Sequence, residues 1–180
     1  MSEGDALPWL VAAPGMALDA VTAASTVALD RADFDGLTLL QPAWPHCVRV
    51  LDAQRGFDLP LGLFTVVEAR DGRVTRVRAT PVAEALAWPD ALARADAVHA
   101  ALAAARWIAA ERVAPADLAR ALERADEALA SRWRSAPWVA SVSLVRAARA
   151  GTDVAAALAY DGDAWLVTVT VADGREGAVP

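Results

Sequence analysis

The stretch Leu63-Phe64-Thr65-Val66-Val67-Glu68-Ala69-Arg70-Asp71-Gly72-Arg73-Val74-Thr75-Arg76-Val77-Arg78-Ala79 decides the fold. Two runs rich in β-branched residues flank Asp71-Gly72, a pair that tolerates positive φ and closes a tight antiparallel turn. Leu63 to Arg70 is therefore expected to be one strand and Val74 to Ala79 its partner. In the second run Thr75 and Val77 share one face and Arg76 and Arg78 the other, as in a sheet with one face buried and one in water. Arg70, Arg73, Arg76 and Arg78, interleaved with Glu68 and Asp71, mark the solvated side.

After Pro81 the period changes. From Pro89, a residue favoured in a first helical turn, Ala91, Ala95, Val98, Leu102 and Ala109 recur every three to four residues, which predicts a helix ending near Arg112. Pro115 opens a second one, with Leu118, Leu122, Ala125, Leu129 and Trp133 as its apolar stripe and Asp117, Arg120, Glu123, Arg124 and Glu127 on the remaining faces. A very short connection predicts an antiparallel αα-hairpin. Beyond Pro137 strands return: Trp138 to Arg146, Asp153 to Tyr160 and Trp165 to Ala172, the last two joined by Asp161-Gly162-Asp163. The tail from Asp173 is expected to fray.

Upstream of the hairpin, residues 1–35 read as an irregular lead holding a short helix from about Met16 to Ala24, then a polar turn from Asp30 to Gly36. Leu37 to Leu40 and Cys47 to Asp52 are expected strands around the Pro42–Pro45 loop, and Gln54 to Pro60 an expected loop. The expectation is one α+β domain over residues 1–180: strands over 37–79, two helices over 89–134 and strands over 138–172, an antiparallel sheet packed against the αα-hairpin. A chain of 180 residues suffices for one core.

The net charge is −6, and all 17 basic residues are arginine. A scattered basic complement argues against nucleic acid, which needs a concentrated basic face. The acidic balance favours long-range attraction of a basic protein. Apolar runs break well before the roughly 18 residues that span a bilayer, so no membrane partner is expected. Glu3 and Asp5 replace the basic start of a secretory signal, and the single Cys47 precludes an internal disulfide; both suggest a cytoplasmic protein.

Catalytic patterns are missing from the sequence. His46 beside Cys47 makes no zinc site, because adjacent strand residues point to opposite faces. His99 sits near Asp96 and Arg106, as a hydrogen-bonded residue at the edge of the helix stripe. Asp30, Asp33 and Asp35 lack the central glycine and closing glutamate of a calcium loop. No Gly-x-Ser-x-Gly elbow or phosphate-cradling glycine motif occurs. The chain is therefore expected to be no enzyme, with no catalytic residue, no metal and no cofactor. Of seven tryptophans, Trp107, Trp133, Trp138 and Trp165 read as core. Trp9, Trp44 and Trp88 stand beside prolines in expected loops, where an exposed ring serves as an interface anchor. With Asp33 and Asp35 they are the candidate partner-binding residues.

Phe34-Asp35-Gly36-Leu37-Thr38, Phe64-Thr65-Val66-Val67, Asp71 to Val77, a long helix ending Ala105-Arg106-Trp107 and the closing Trp165 to Val171 together resemble, in layout, small immunity proteins encoded beside bacterial antibacterial toxins of type VI secretion systems. The resemblance covers about Phe34 to Val171 and implies a cytoplasmic protein that binds one cognate toxin and neutralises it. Two other readings stand beside it. One is a small-molecule binder or an enzyme using a pocket between sheet and helices, with His99, Arg106 and nearby carboxylates as polar groups. The other is an oligomeric adaptor whose Ala-rich helices pair between subunits.

Overall fold

The computed structural model describes residues 7–51, 55–62, 64–147 and 164–174. In chain order the elements are β1 (Trp9–Ala12), α1 (Leu18–Ala24), β2 (Leu29–Phe34), β3 (Leu37–Pro42), β4 (His46–Val50), β5 (Phe57–Gly62), β6 (Phe64–Arg70), β7 (Arg73–Thr80), α2 (Trp88–Ala104), β8 (Ile108–Arg112), α3 (Pro115–Leu122), β9 (Glu127–Ser135), β10 (Trp138–Arg146) and β11 (Trp165–Asp173). The chain is α+β, with strands predominating. Eight strands form one antiparallel sheet in the order β2-β3-β6-β7-β11-β10-β9-β8, and β1-β4-β5 form a small second sheet. Among the described residues no helix is long and apolar enough to cross a membrane.

The deciding hairpin forms as read. Asp71 and Gly72 take φ of 49° and 73°, and Val67 pairs with Val77. Asp35-Gly36 uses the same device, with φ of 27° and 80°, to join β2 to β3. The facing within β7 needs one correction. A bulge between Glu68 and Ala69 leaves Thr75 without a register partner, so Val74, not Thr75, joins Val77 on the buried face.

The αα-hairpin is replaced by alternating helix and strand. The first helix stops at Ala104, Arg106 turns the chain with φ of 62°, and residues 108–112 become edge strand β8. The second helix stops at Leu122, and Leu129 and Trp133 lie on β9. Ala109, Ala125, Leu129 and Trp133 fit a helical stripe by spacing alone. Pairing with β10 on one edge and β8 on the other gives β9 backbone partners along most of its length and buries Trp133. Ala91, Ala95, Val98 and Leu102 of α2 and Leu118 and Leu122 of α3 are buried as expected.

The lead is more regular than its sequence suggests. α1 falls inside the expected helix, but Trp9–Ala12 pairs parallel with β4, residues 29–34 form a strand and residues 57–62 form β5. Cys47 is buried on β4. The expected strand from Asp153 to Tyr160, its turn at 161–163, Leu63 and the tail beyond 174 lie outside the described residues.

One face of the large sheet carries the core. Register partners Leu40, Val67, Val77, Val171, Ala140 and Trp133 cross six strands in a row and are at most 4 % exposed. On this face α2 packs against β8, β10 and β11 and reaches β5, while α3 packs on β9. Trp107, just past α2, donates its indole N–H to the Arg55 carbonyl and meets Phe57 edge to face, locking the small sheet to the helix.

Candidate functional site

The opposite face of the same sheet is open over two register rows, while further along β10 and β11 Ser143, Val145, Leu166 and Thr168 on that face are buried. Ala32, Leu39, Glu68, Arg76, Ala172, Val139, Arg134 and Ile108 are successive register partners across all eight strands, and none is buried. Beside this row run Val66, Arg78, Thr170, Ser141, Arg132 and Glu111, also unburied. Arg76 reaches Glu68 at 3.2 Å, and Arg78 lies 3.8 Å from Glu127 on β9, spanning β11 and β10. Arg132 and Arg134 make no ion pair among the described residues. With Ala136, Pro137, Trp138, Val139 and Gly174 they line a hollow of about 460 Å³.

Polar chemistry gathers on the helix side. His99 of α2, 7 % exposed, places Nε2 2.7 Å from Ser131 Oγ on β9, while Nδ1 faces Arg112 Nη2 at 3.0 Å and Asp96 Oδ1 at 3.3 Å. A guanidinium only donates, so Nδ1 accepts from Arg112 and the neutral ring donates from Nε2 to Ser131. Arg112 also bonds Asp96 at 3.1 Å, and the Trp133 indole N–H donates to Ser131 at 2.9 Å. Burial holds the His99 pKa below its ordinary value; Asp96 opposes that shift and Arg112 adds to it. His99, Asp96 and Arg112 border a cleft of about 300 Å³ with Leu92, Pro115 and Leu118.

Asp96, His99 and Ser131 thus lie in the spatial order of a hydrolase triad, but Nδ1 accepts from Arg112 in place of donating to Asp96, and the geometry is structural. Ser131 is fully buried and its oxygen already accepts two N–H donors. A nucleophile needs an open approach to its oxygen. The sequence connected His99 to Asp96 but paired it with Arg106, which is exposed, in place of Arg112. A period-two signal was there to be read: Ser131, Trp133 and Ser135 alternate with Arg132 and Arg134, a strand pattern that the leucine spacing masked.

The five candidate partner residues do not converge. Asp33 and Asp35 sit at the turn of the β2–β3 hairpin, Asp33 held by Arg31 and by the Thr38 hydroxyl; hydrogen bonds from these two lower its carboxyl pKa. Trp44, 61 % exposed, follows the other end of β3, about 17 Å away along the strand. Trp9 lies on β1 with the Arg49 guanidinium 4.6 Å from its ring centre. Trp88 begins α2 and packs edge to face on Trp165 at 5.4 Å.

No family model, curated protein or solved structure matches this chain.

Proposed function

We propose that this chain is a cytoplasmic, non-catalytic binding protein that neutralises a cognate bacterial toxin by docking through the open face of its eight-stranded sheet. The observation that carries the reading is the row from Ala32 to Ile108, in which eight strands present a continuous line of unburied residues, opposite a row packed across six of them. Register holds such a surface rigid, so little side-chain and loop ordering opposes association. The layout resemblance supports the toxin as partner, and the self-satisfied Ser131–His99–Arg112–Asp96 chain agrees with a protein that performs no turnover. Trp44 and the hairpin at Phe34, both solvent-exposed, flank the same edge of the sheet as supplementary anchors.

Co-expression tests this. Cells carrying the toxin gene adjacent to this one survive only when this chain is also made, and equal death with and without it removes the reading. With a net charge of −6, association with a basic toxin slows as salt rises from about 50 to 500 mM.

The cleft at His99 supports a second reading, a small-molecule binder, because about 300 Å³ is at the lower limit of ligand sites. Its polar groups are engaged with one another, which leaves few to recognise a ligand. Leu92→Trp, which fills the cleft, separates the two: protection from the toxin survives under the first reading and fails under the second.

A further inference from the structure

The corner of the open face at β8 and β9 opposes the charge of the chain as a whole. Arg132 and Arg134 are exposed, share one face of one strand and have no ion-pair partner among the described residues, whereas Arg76 and Arg78 on the same face are already matched to Glu68 and Glu127. Glu111, the register partner of Arg132 on β8, makes no ion pair with it, so both guanidiniums remain donors free of a carboxylate partner among the described residues in a chain of net charge −6. Their Cα atoms stand about 7 Å apart, the distance between residues i and i+2 of any extended strand. The hollow they border has an apolar wall of Pro137, Trp138 and Val139. Its edge is tight: Gly174 donates to the Pro137 carbonyl at 2.8 Å, and a Cβ at position 174 would lie 2.7 Å from that oxygen.

Next to this corner β8 pairs, among the described residues, only with β9, so its outer backbone groups have no strand partner among them, and Ile108 on it is 73 % exposed. A natural sheet edge of this kind is a site for strand addition. The reach across strands is demonstrated on the same face, where Arg78 approaches Glu127 over two intervening strands.

Resting on the neutralisation reading above, we infer that this corner selects an extended acidic segment of the partner, with carboxylates two residues apart on Arg132 and Arg134 and an apolar side chain against Val139, which shares their face. Guanidinium forks suit carboxylates in bidentate geometry. The local charge decides the segment, whatever the net charge of the partner. A nucleic acid is disfavoured, because two arginines neutralise few phosphates while the rest of the chain repels a polyanion.

The test uses the full chain and a fluorescein-labelled peptide of alternating Glu and Val, followed by anisotropy. Wild type binds it, Arg132→Glu/Arg134→Glu lowers the affinity at least tenfold, and Arg78→Ala leaves it unchanged. A Lys-Val peptide does not bind, and binding weakens as salt rises. All three sites are exposed or ion-paired at the surface, and circular dichroism verifies that each variant is folded. Equal binding by wild type and the double variant, no binding by wild type, or preference for an oligo-dT probe of equal length overturns the inference. Protection from the toxin by Arg132→Glu/Arg134→Glu at the wild-type level also overturns it while leaving the neutralisation reading standing. Peptide binding without any protection from the toxin removes the neutralisation reading instead.

Discussion

His99 Nε2 lies 2.7 Å from Ser131 Oγ, and this bond joins the middle of α2 to the centre of β9 across 32 residues of sequence. The hydroxyl oxygen serves two donors, the imidazole and the Trp133 indole. Removing it leaves both N–H groups buried and unsatisfied, whereas removing a nucleophile would abolish a reaction and leave the fold alone.

Ser131→Ala is therefore expected to lower unfolding free energy by about 1–3 kcal/mol, the desolvation cost of orphaned buried donors. Urea denaturation measures it. A fluorophosphonate probe is expected to leave the wild-type protein unlabelled; labelling at Ser131 would show a reactive serine and refute the structural role.

Stability is expected to fall as pH drops from 7 toward 5. Burial is the main cause that lowers the pKa of both His46 and His99, with the Ala43 carbonyl opposing it at His46 and Asp96 at His99. The unfolded chain takes up protons first, near the ordinary value of about 6.5, so stability is complete above that pH and is lost below it, by at most about 1.4 kcal/mol per pH unit for each ring. Urea midpoints at pH 7.5 and 5.5 test the sign. An unchanged or higher midpoint at pH 5.5 would mean that the rings are charged in the folded protein.

Leu122→Asp is expected to destabilise by about 3 kcal/mol or more, because Leu122 is 3 % exposed on the inner face of α3 and an aspartate there has no partner. An unchanged melting temperature would contradict the packing of α3 on β9.

Trp44→Ala and Trp88→Ala are expected to separate. Trp44 is exposed, so its loss changes stability by no more than about 0.5 kcal/mol. If Trp44 anchors the toxin, its loss raises the dissociation rate. Trp88 packs on Trp165, so its loss costs on the order of 2 kcal/mol or more of folding free energy before any effect on binding. Thermal melts and surface-immobilised binding kinetics distinguish the two.

Local chemistry made some elements legible in the sequence. Asp71-Gly72 specifies its hairpin because few pairs accept positive φ at both positions, and the strands from Trp138 and from Trp165 are marked by β-branched runs that a helix would crowd. The inner stripe of α2 was likewise readable from Ala91 to Leu102. Tertiary pairing decided the rest. Ala109, Leu129 and Trp133 satisfy a helical spacing and a strand equally well, and only β10 as a hydrogen-bonding neighbour turns residues 127–135 into β9 and brings Ser131 to His99. The open face has the same origin. Arg76, Arg134 and Ile108 are far apart in the chain, and sheet register alone aligns them on one surface, because backbone hydrogen bonds between distant strands carry information that no window of sequence contains.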